Sequence, residues 1–176
     1  MKRVLLIAAI SLFMVSGFAA TPVQAASYCG ITWGSLPKSA GVMRQSPLTN
    51  IRTGRHECFD RMVFDFNGTA PGYNVKYVSN VYADGSGQLI PLAGGAKIQI
   101  VALAPAYNQN GQATYPGVVG GSLPGVNLTG YQTFRDAKFA GSFEGQTTVG
   151  LGVRARLPFR AFTLDNRLII DVAHRW

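Results

Sequence analysis

The sequence predicts an all-β fold, a sandwich of short antiparallel strands with one long Gly/Pro/Tyr-rich loop and one disulfide. Three observations predict it. Apolar and polar residues alternate over short runs, the period of a strand with one buried face. Glycine and proline, 21 and 9 of them, fall mostly between those runs and punctuate them as turns. No long stretch downstream of the N-terminal segment keeps a helical period.

The elements follow in chain order. Residues 1–25, MKRVLLIAAISLFMVSGFAATPVQA, start with Lys2 and Arg3 and continue through an apolar run from Val4 to Val15, broken only by Ser11. They end on small residues at Val23-Gln24-Ala25. These are the regions of a secretory signal peptide, with cleavage expected after Ala25. The apolar core is shorter than the roughly 20 residues of a membrane span, and no second run of spanning length follows. The expected product is a single exported domain over residues 26–176, secreted or held at the cell envelope.

Cys29 and Cys58 are the two cysteines of the chain. In an oxidising compartment an even pair reads as a disulfide, which here would staple YCGITWGS to the strand beginning near Glu57. Residues 36–46 have room for a short turn. In 57–67, Cys58, Met62, Phe64 and Phe66 share one face, and Arg61, Val63 and Asp65 share the other. In 72–83, Tyr73, Val75, Tyr77 and Val81 alternate with Asn74, Lys76 and Asn80. The run 96–104, AKIQIVALA, reads as a buried strand. Residues 145–157 and 159–164 read as two strands split at Pro158. The last strand, 167–175, puts Leu168, Ile170 and Val172 on one face. Between 105 and 130 the pattern stops. A loop of that length inside a compact domain is functional or mobile.

One motif repeats. Arg61-Met-Val-Phe-Asp65-Phe66 and Arg167-Leu-Ile-Ile-Asp171-Val172 share the form R-φ-φ-φ-D-φ. Within a strand the Arg and Asp lie roughly 13 Å apart and cannot pair. Across adjacent antiparallel strands Arg61 would face Asp171, and Asp65 would face Arg167, as cross-strand partners.

The segment 54–68, GRHECFDRMVFDFNG, concentrates His56, Glu57 and Asp60 beside Cys58. His56 stands two residues before Cys58, on the same face of a strand, which leaves a thiol nucleophile open; with Cys58 bridged the stretch reads as a strand. An acid/His site using Glu57, Asp60 or His56 is the alternative. The two histidines, without a cysteine or carboxylate cluster at ligand spacing, do not form a metal site. No cofactor motif is present: the glycine pairs lack the strand–turn–helix context of a phosphate loop. Loss of Lys2 and Arg3 with the leader takes the formal charge from +8 to +6. In an exported protein that balance points to anionic envelope polymers or glycans as partners and away from nucleic acid.

YCGITWGS at 28–35, IRTGRHECFDRMVFDFNG at 51–68, GYNVKYV at 72–78, FEGQTTVGLGVRARLPFRAFTL at 143–164 and RLIIDVAH at 167–174 resemble the exported AMIN-like domain proteins of actinobacteria. The paired R-φ-φ-φ-D strands also resemble the broader AMIN domain, a β-sandwich of periplasmic amidases and secretin subunits. The resemblance implies targeting to the cell envelope, with peptidoglycan as ligand, by a stand-alone binding module.

Wall glycans and their peptides offer sugar faces and carboxylates, which suit aromatic rings beside arginine. Arg154 and Arg156 stand two apart on one strand face, Arg160 lies beyond Pro158, and Tyr107 and Tyr115 lie on the long loop. These five form the expected ligand surface. The alternative for the arginines is a charged edge that blocks strand-to-strand aggregation. For Tyr73 and Tyr77 core packing is expected, as it is for His174 on the apolar face of the last strand. Three functions remain open: a non-catalytic envelope-binding module, a small secreted hydrolase, and a module that docks another exported protein through a sheet edge.

Overall fold

The computed structural model describes residues 27–176. The expected signal peptide and its cleavage point lie outside the described residues. After a single 3₁₀ turn at Tyr28–Gly30, the strands in chain order are β1 Lys38–Ala40, β2 Leu48–Arg55, β3 Phe59–Phe66, β4 Tyr73–Val78, β5 Val81–Tyr82, β6 Leu89–Ile90, β7 Ala96–Ala102, β8 Phe134–Phe143, β9 Gln146–Val153, β10 Phe159–Leu164 and β11 Arg167–Ala173.

Two antiparallel sheets form the sandwich. One has five strands in the order β1-β4-β7-β9-β8, and the other has four in the order β10-β11-β3-β2. A small hairpin pairs β5 with β6. The strand alternation explains the packing. Val75, Ile98, Ile100, Val149, Leu151 and Val153 face inward from the first sheet. Met62, Phe64, Phe66, Leu168, Ile170 and Val172 meet them from the second. Tyr73 and Tyr77 join this core and tie the sheets together. Their hydroxyls donate to the carbonyls of Ala161 and Leu157, at 2.7 and 2.8 Å.

The cysteines form the disulfide Cys29–Cys58, with Cα atoms 6.2 Å apart. Closing a loop of this length contributes roughly 3–4 kcal/mol in the chain-entropy model. Cys29 has a positive φ of 52°, which turns the N-terminal segment back across the start of β3.

Several boundaries differ from the sequence reading. The strand expected over 72–83 divides into β4 and β5 around Ser79 and Asn80, and the one expected over 145–157 ends at Val153. β1, β2, β6 and β8 are additional strands: β1 lies in the segment 36–46 expected to hold a short turn, β1 and β6 are only two or three residues long, and β2 and β8 are full strands. Both carry bulges, between Leu48 and Asn50 in β2 and after Phe134 and Phe139 in β8. A bulge resets the two-residue alternation, so neither strand reads as one in the sequence. The region 105–130 is irregular but anchored. Tyr115 and Leu123 are buried in the core, and Thr114 Oγ1 donates to the Leu48 carbonyl at 2.7 Å.

The outer face of the five-stranded sheet is covered by main chain. Gly150 and Gly152 of β9 alternate with the core residues Val149, Leu151 and Val153 and so face outward. A Cβ on Gly150 would come within 2.6 Å of Leu92 Cδ1, and one on Gly152 would collide with the Ala93 carbonyl oxygen. Glycine therefore lets the segment after β6 lie directly on the sheet. Val81, Ala83, Ile90, Leu92 and Ala140 form a second small core beneath it.

Candidate functional site

The outer face of the four-stranded sheet is covered by side chains. β3 and β11 pair so that Arg61 lies opposite Asp171 and Asp65 opposite Arg167, and β10 places Arg160 opposite Asp171 from the other side. Asp171 is fully buried. Arg61 grips it with two hydrogen bonds, Nε to Oδ1 at 2.6 Å and Nη2 to Oδ2 at 2.8 Å. Arg160 Nε donates to Oδ2 at 2.8 Å. One carboxylate thus holds two guanidiniums, and one positive charge remains uncompensated at this face.

The second Arg–Asp echo pairs differently. Asp65 takes a bidentate pair from Arg52 of β2 at 2.9 and 3.1 Å, and Arg167 approaches Asp165 at 3.6 Å. The register places Arg167 beside Asp65, but the adjacent strand supplies a guanidinium with better geometry, so the expected Asp65–Arg167 ion pair is replaced.

Aromatic rings frame the paired arginines. The Arg160 guanidinium carbon lies 4.4 Å from the Trp33 ring centre and 5.0 Å from that of Phe162. Arg61 lies 5.2 Å from Phe59. Trp33 meets Phe59 edge-on with centroids 5.5 Å apart, and His56 stacks on Phe59 at 4.5 Å. Trp33 is fixed through its backbone: Lys38 Nζ donates to the Trp33 carbonyl at 3.0 Å, and the Phe159 amide donates to the next carbonyl, Gly34, at 2.8 Å. The face is therefore a preformed layer of rings and guanidiniums, half-buried at Trp33, Phe59 and Phe162.

Of the five residues expected to form a ligand surface, only Arg160 belongs to this layer. Tyr115 is a core residue whose ring is tilted against that of Phe139, with centroids 5.6 Å apart. Burial pushes its phenol up to about 12. The Tyr107 hydroxyl accepts from the Gly145 amide at 3.1 Å, at the start of the β8–β9 hairpin. Arg154 lies just beyond the far end of β9, about 30 Å away at strand rise, where Nη2 donates to the His174 carbonyl. Arg156 donates to Ser35 and covers the Tyr77 ring at 5.0 Å. Tyr107 lies at one end of β9, Arg154 and Arg156 beyond the other, Tyr115 in the core and Arg160 on the four-stranded sheet, so the five do not make a common surface. The rings beside Arg160 are those of Trp33, Phe59 and Phe162. The spacing of Trp33 from β10 gave no sign that the disulfide-tethered segment would reach Arg160.

A cleft of about 350 Å³ lies at the end of the sandwich, lined by Arg55, His56, Glu57, Asp60, Gly130, Gln132 and His174. It brings together the three residues of the alternative acid/His reading and adds His174, which is buried. His174 Nδ1 lies 3.0 Å from Thr133 Oγ1, and Nε2 lies 3.0 Å from the His56 carbonyl. Asp60 Oδ1 stands 3.9 Å from Nε2. The order Thr–His–Asp resembles a hydrolytic triad, but the Thr133 hydroxyl is fully buried and also contacts the Ala173 carbonyl at 3.1 Å. A nucleophile must reach a substrate carbon, and this hydroxyl faces protein on every side. The Thr133 and Phe134 amides instead close on Asp60 Oδ2 at 2.6 and 3.0 Å, so the network fixes the entry to β8.

A family model for the AMIN-like domain matches residues 46–174. Comparison with curated proteins and with solved structures returned no match.

Proposed function

This chain belongs to the AMIN-like domain family, and from that premise we propose that it is an exported, non-catalytic module that binds peptidoglycan or the anionic polymers attached to it. Family membership fits an envelope-targeting role. No helix among the described residues is long and apolar enough to cross a membrane.

The observation that carries the reading is the layer on the four-stranded sheet: two guanidiniums on one buried carboxylate, framed by Trp33, Phe59, Phe162 and His56. Aromatic faces pack against sugar rings, and arginine pairs carboxylates or phosphates. Holding these groups in place before binding lowers the entropic cost of association. Electrostatic attraction from the net positive charge, +6 once Lys2 and Arg3 leave with the leader, adds to it at low salt.

Co-sedimentation of the purified protein with peptidoglycan over a salt series, with and without attached anionic polymers, tests the proposal. Retention on bare peptidoglycan at moderate salt is expected. Pelleting only at low salt and only with the polymers present would reduce the interaction to net charge and turn the search to protein partners.

A further inference from the structure

A second cleft, of about 320 Å³, lies where β4 ends and β7 begins. Lys97 and Arg156 line it, and no carboxylate does. Arginines on the four-stranded sheet are held by carboxylates: Arg52 by Asp65, and Arg61 and Arg160 by Asp171. The two cations of the cleft are held by neutral oxygens instead. Lys97 Nζ donates to the Ser79 carbonyl at 3.2 Å. Arg156 donates from Nε to Ser35 Oγ at 3.2 Å and from Nη2 to the Ser35 carbonyl at 3.1 Å. Neither forms an ion pair with a side-chain or terminal carboxylate among the described residues. A neutral oxygen positions a cation without cancelling its charge.

The Arg156 mounting is rigid. The Tyr77 ring lies under its guanidinium, centre to guanidinium carbon 5.0 Å. The Tyr77 hydroxyl donates to the Leu157 carbonyl at 2.8 Å and accepts from the Leu157 amide at 2.9 Å, which pins the residue next to Arg156. Ser35 occupies the Nε side of the guanidinium and leaves the Nη1 end. Ser79 takes one hydrogen of the Lys97 ammonium and leaves the others. Asp136 is the carboxylate on the same sheet face, two strands from Lys97 across Gly152. It is engaged by the Ala93 amide at 3.0 Å, and the Ala93 carbonyl sits on Gly152 between it and Lys97. Arg154, on the His174 carbonyl and also without an ion pair, adds to the positive field.

We propose that this cleft is a binding site for a phosphate group, its oxygens taking the remaining hydrogens of Lys97 Nζ and the Nη1 end of Arg156. The donors and charges select this chemistry. Two cations and no acid repel ammonium groups and metal ions. A single carboxylate balances one of the two charges. A phosphate monoester carries about −1.5 to −2 and has acceptor oxygens for both cations. A phosphodiester of a polymer presents the same group with less charge. The site is separate from the ring-and-guanidinium layer, since Trp33, Phe59, Arg61 and Arg160 do not line the cleft. Only a wall polymer as the source of the phosphate rests on the envelope reading.

The test is an amide NMR titration of the purified protein at constant ionic strength. The probes are glycerol 3-phosphate, its diester counterpart glycerophosphoglycerol, and acetate. The amides of Ser79, Gly95 and Lys97, which line the cleft, are the reporters. Glycerol 3-phosphate is expected to give saturable shifts there, and acetate to bind about ten-fold more weakly. Lys97→Gln and Arg156→Gln are each expected to weaken glycerol 3-phosphate about ten-fold. Lys76→Gln removes an exposed cation of β4 that does not line the cleft, and is expected to bind like the wild type. The diester separates the sources: tighter binding than the monoester assigns the site to a polymer backbone, and equal or weaker binding assigns it to a terminal or free phosphomonoester. The titration contains no wall material, so its failure and a failure to pellet with peptidoglycan are read separately. No saturable shift with either phosphate would overturn the proposal. So would acetate binding as tightly as glycerol 3-phosphate, wild-type affinity in Lys97→Gln or Arg156→Gln, or an equal loss in Lys76→Gln, which would reduce the interaction to net charge.

Discussion

On the five-stranded sheet the outer face is roofed by main chain, because Gly150 and Gly152 let the Leu92–Ala93 backbone rest on β9. On the four-stranded sheet the same layer is made of side chains, with Arg61 and Arg160 closed on Asp171 between Trp33, Phe59 and Phe162. Both faces bury part of a sheet that would otherwise be bare. They differ in what they offer. The roofed face presents main chain tied to the sheet, as where the Ala93 amide donates to Asp136 of β8. The open face presents rings and guanidiniums set in position, with a charge to spare.

The contrast predicts how each face fails, and the largest effect falls on the buried carboxylate. Asp171→Ala leaves two guanidiniums without their acceptor and is expected to cost about 3–5 kcal/mol, as loss of one partner from a buried pair does. Urea unfolding measures it. A loss under about 1 kcal/mol would mean that the arginines find solvent as easily as they find Asp171.

The roofed face breaks by volume rather than charge. Gly152→Ala drives a methyl into the Ala93 carbonyl, where backbone must move. The expected cost is about 1–3 kcal/mol, read as a lower melting temperature with wall binding retained at temperatures where the protein is folded.

Trp33→Ala sharpens the comparison because it separates stability from binding. Trp33 is half-buried and its contacts are one edge-on ring pair and one cation–π contact. Removing them is expected to cost about 1 kcal/mol of stability while abolishing retention on peptidoglycan at moderate salt.

The smallest effect belongs to Tyr115, away from both faces. Its phenol is pushed up to about 12 by burial, whereas an unfolded tyrosine ionises near 10. The unfolded state therefore loses its proton first, and this contribution to stability is intact below about pH 10 and declines as pH rises toward about 12. Tyr115→Phe removes a hydroxyl that has no partner. It is expected to leave stability at neutral pH nearly unchanged and to flatten the alkaline decline in a pH series of unfolding curves.

Much of the fold is legible in the sequence. The disulfide follows from two cysteines in a chain expected to be exported. The repeated R-φ-φ-φ-D motif placed Arg61 opposite Asp171, because paired strands repeat one alternation with opposite polarity. The partner of Asp65 was not legible, since Arg52 lies on β2, whose bulge at Leu48 hides it as a strand. The layer around Arg160 was half legible. Its arginine stood out in GVRARLPFR, but its tryptophan comes from 127 residues away, and nothing local in YCGITWGS records that contact. Tyr115 misled because a tyrosine in a Gly/Pro-rich loop reads as exposed, while the loop folds its ring into the core. The end cleft was seen from one side only: His56, Glu57 and Asp60 are neighbours in sequence, whereas Thr133 arrives just before β8 and His174 just after β11.

The most direct test of the account compares one substitution on each outer face. Trp33→Ala alters the open face, and Tyr82→Ala alters the half-exposed hairpin ring on the roofed side. Both proteins and the wild type are pelleted with purified peptidoglycan at moderate salt, after confirming that all three are folded. The account predicts that the wild type and Tyr82→Ala pellet while Trp33→Ala stays in solution. Equal pelleting of the two variants would contradict it, because the ring-and-guanidinium face would then play no part in holding the protein to the wall.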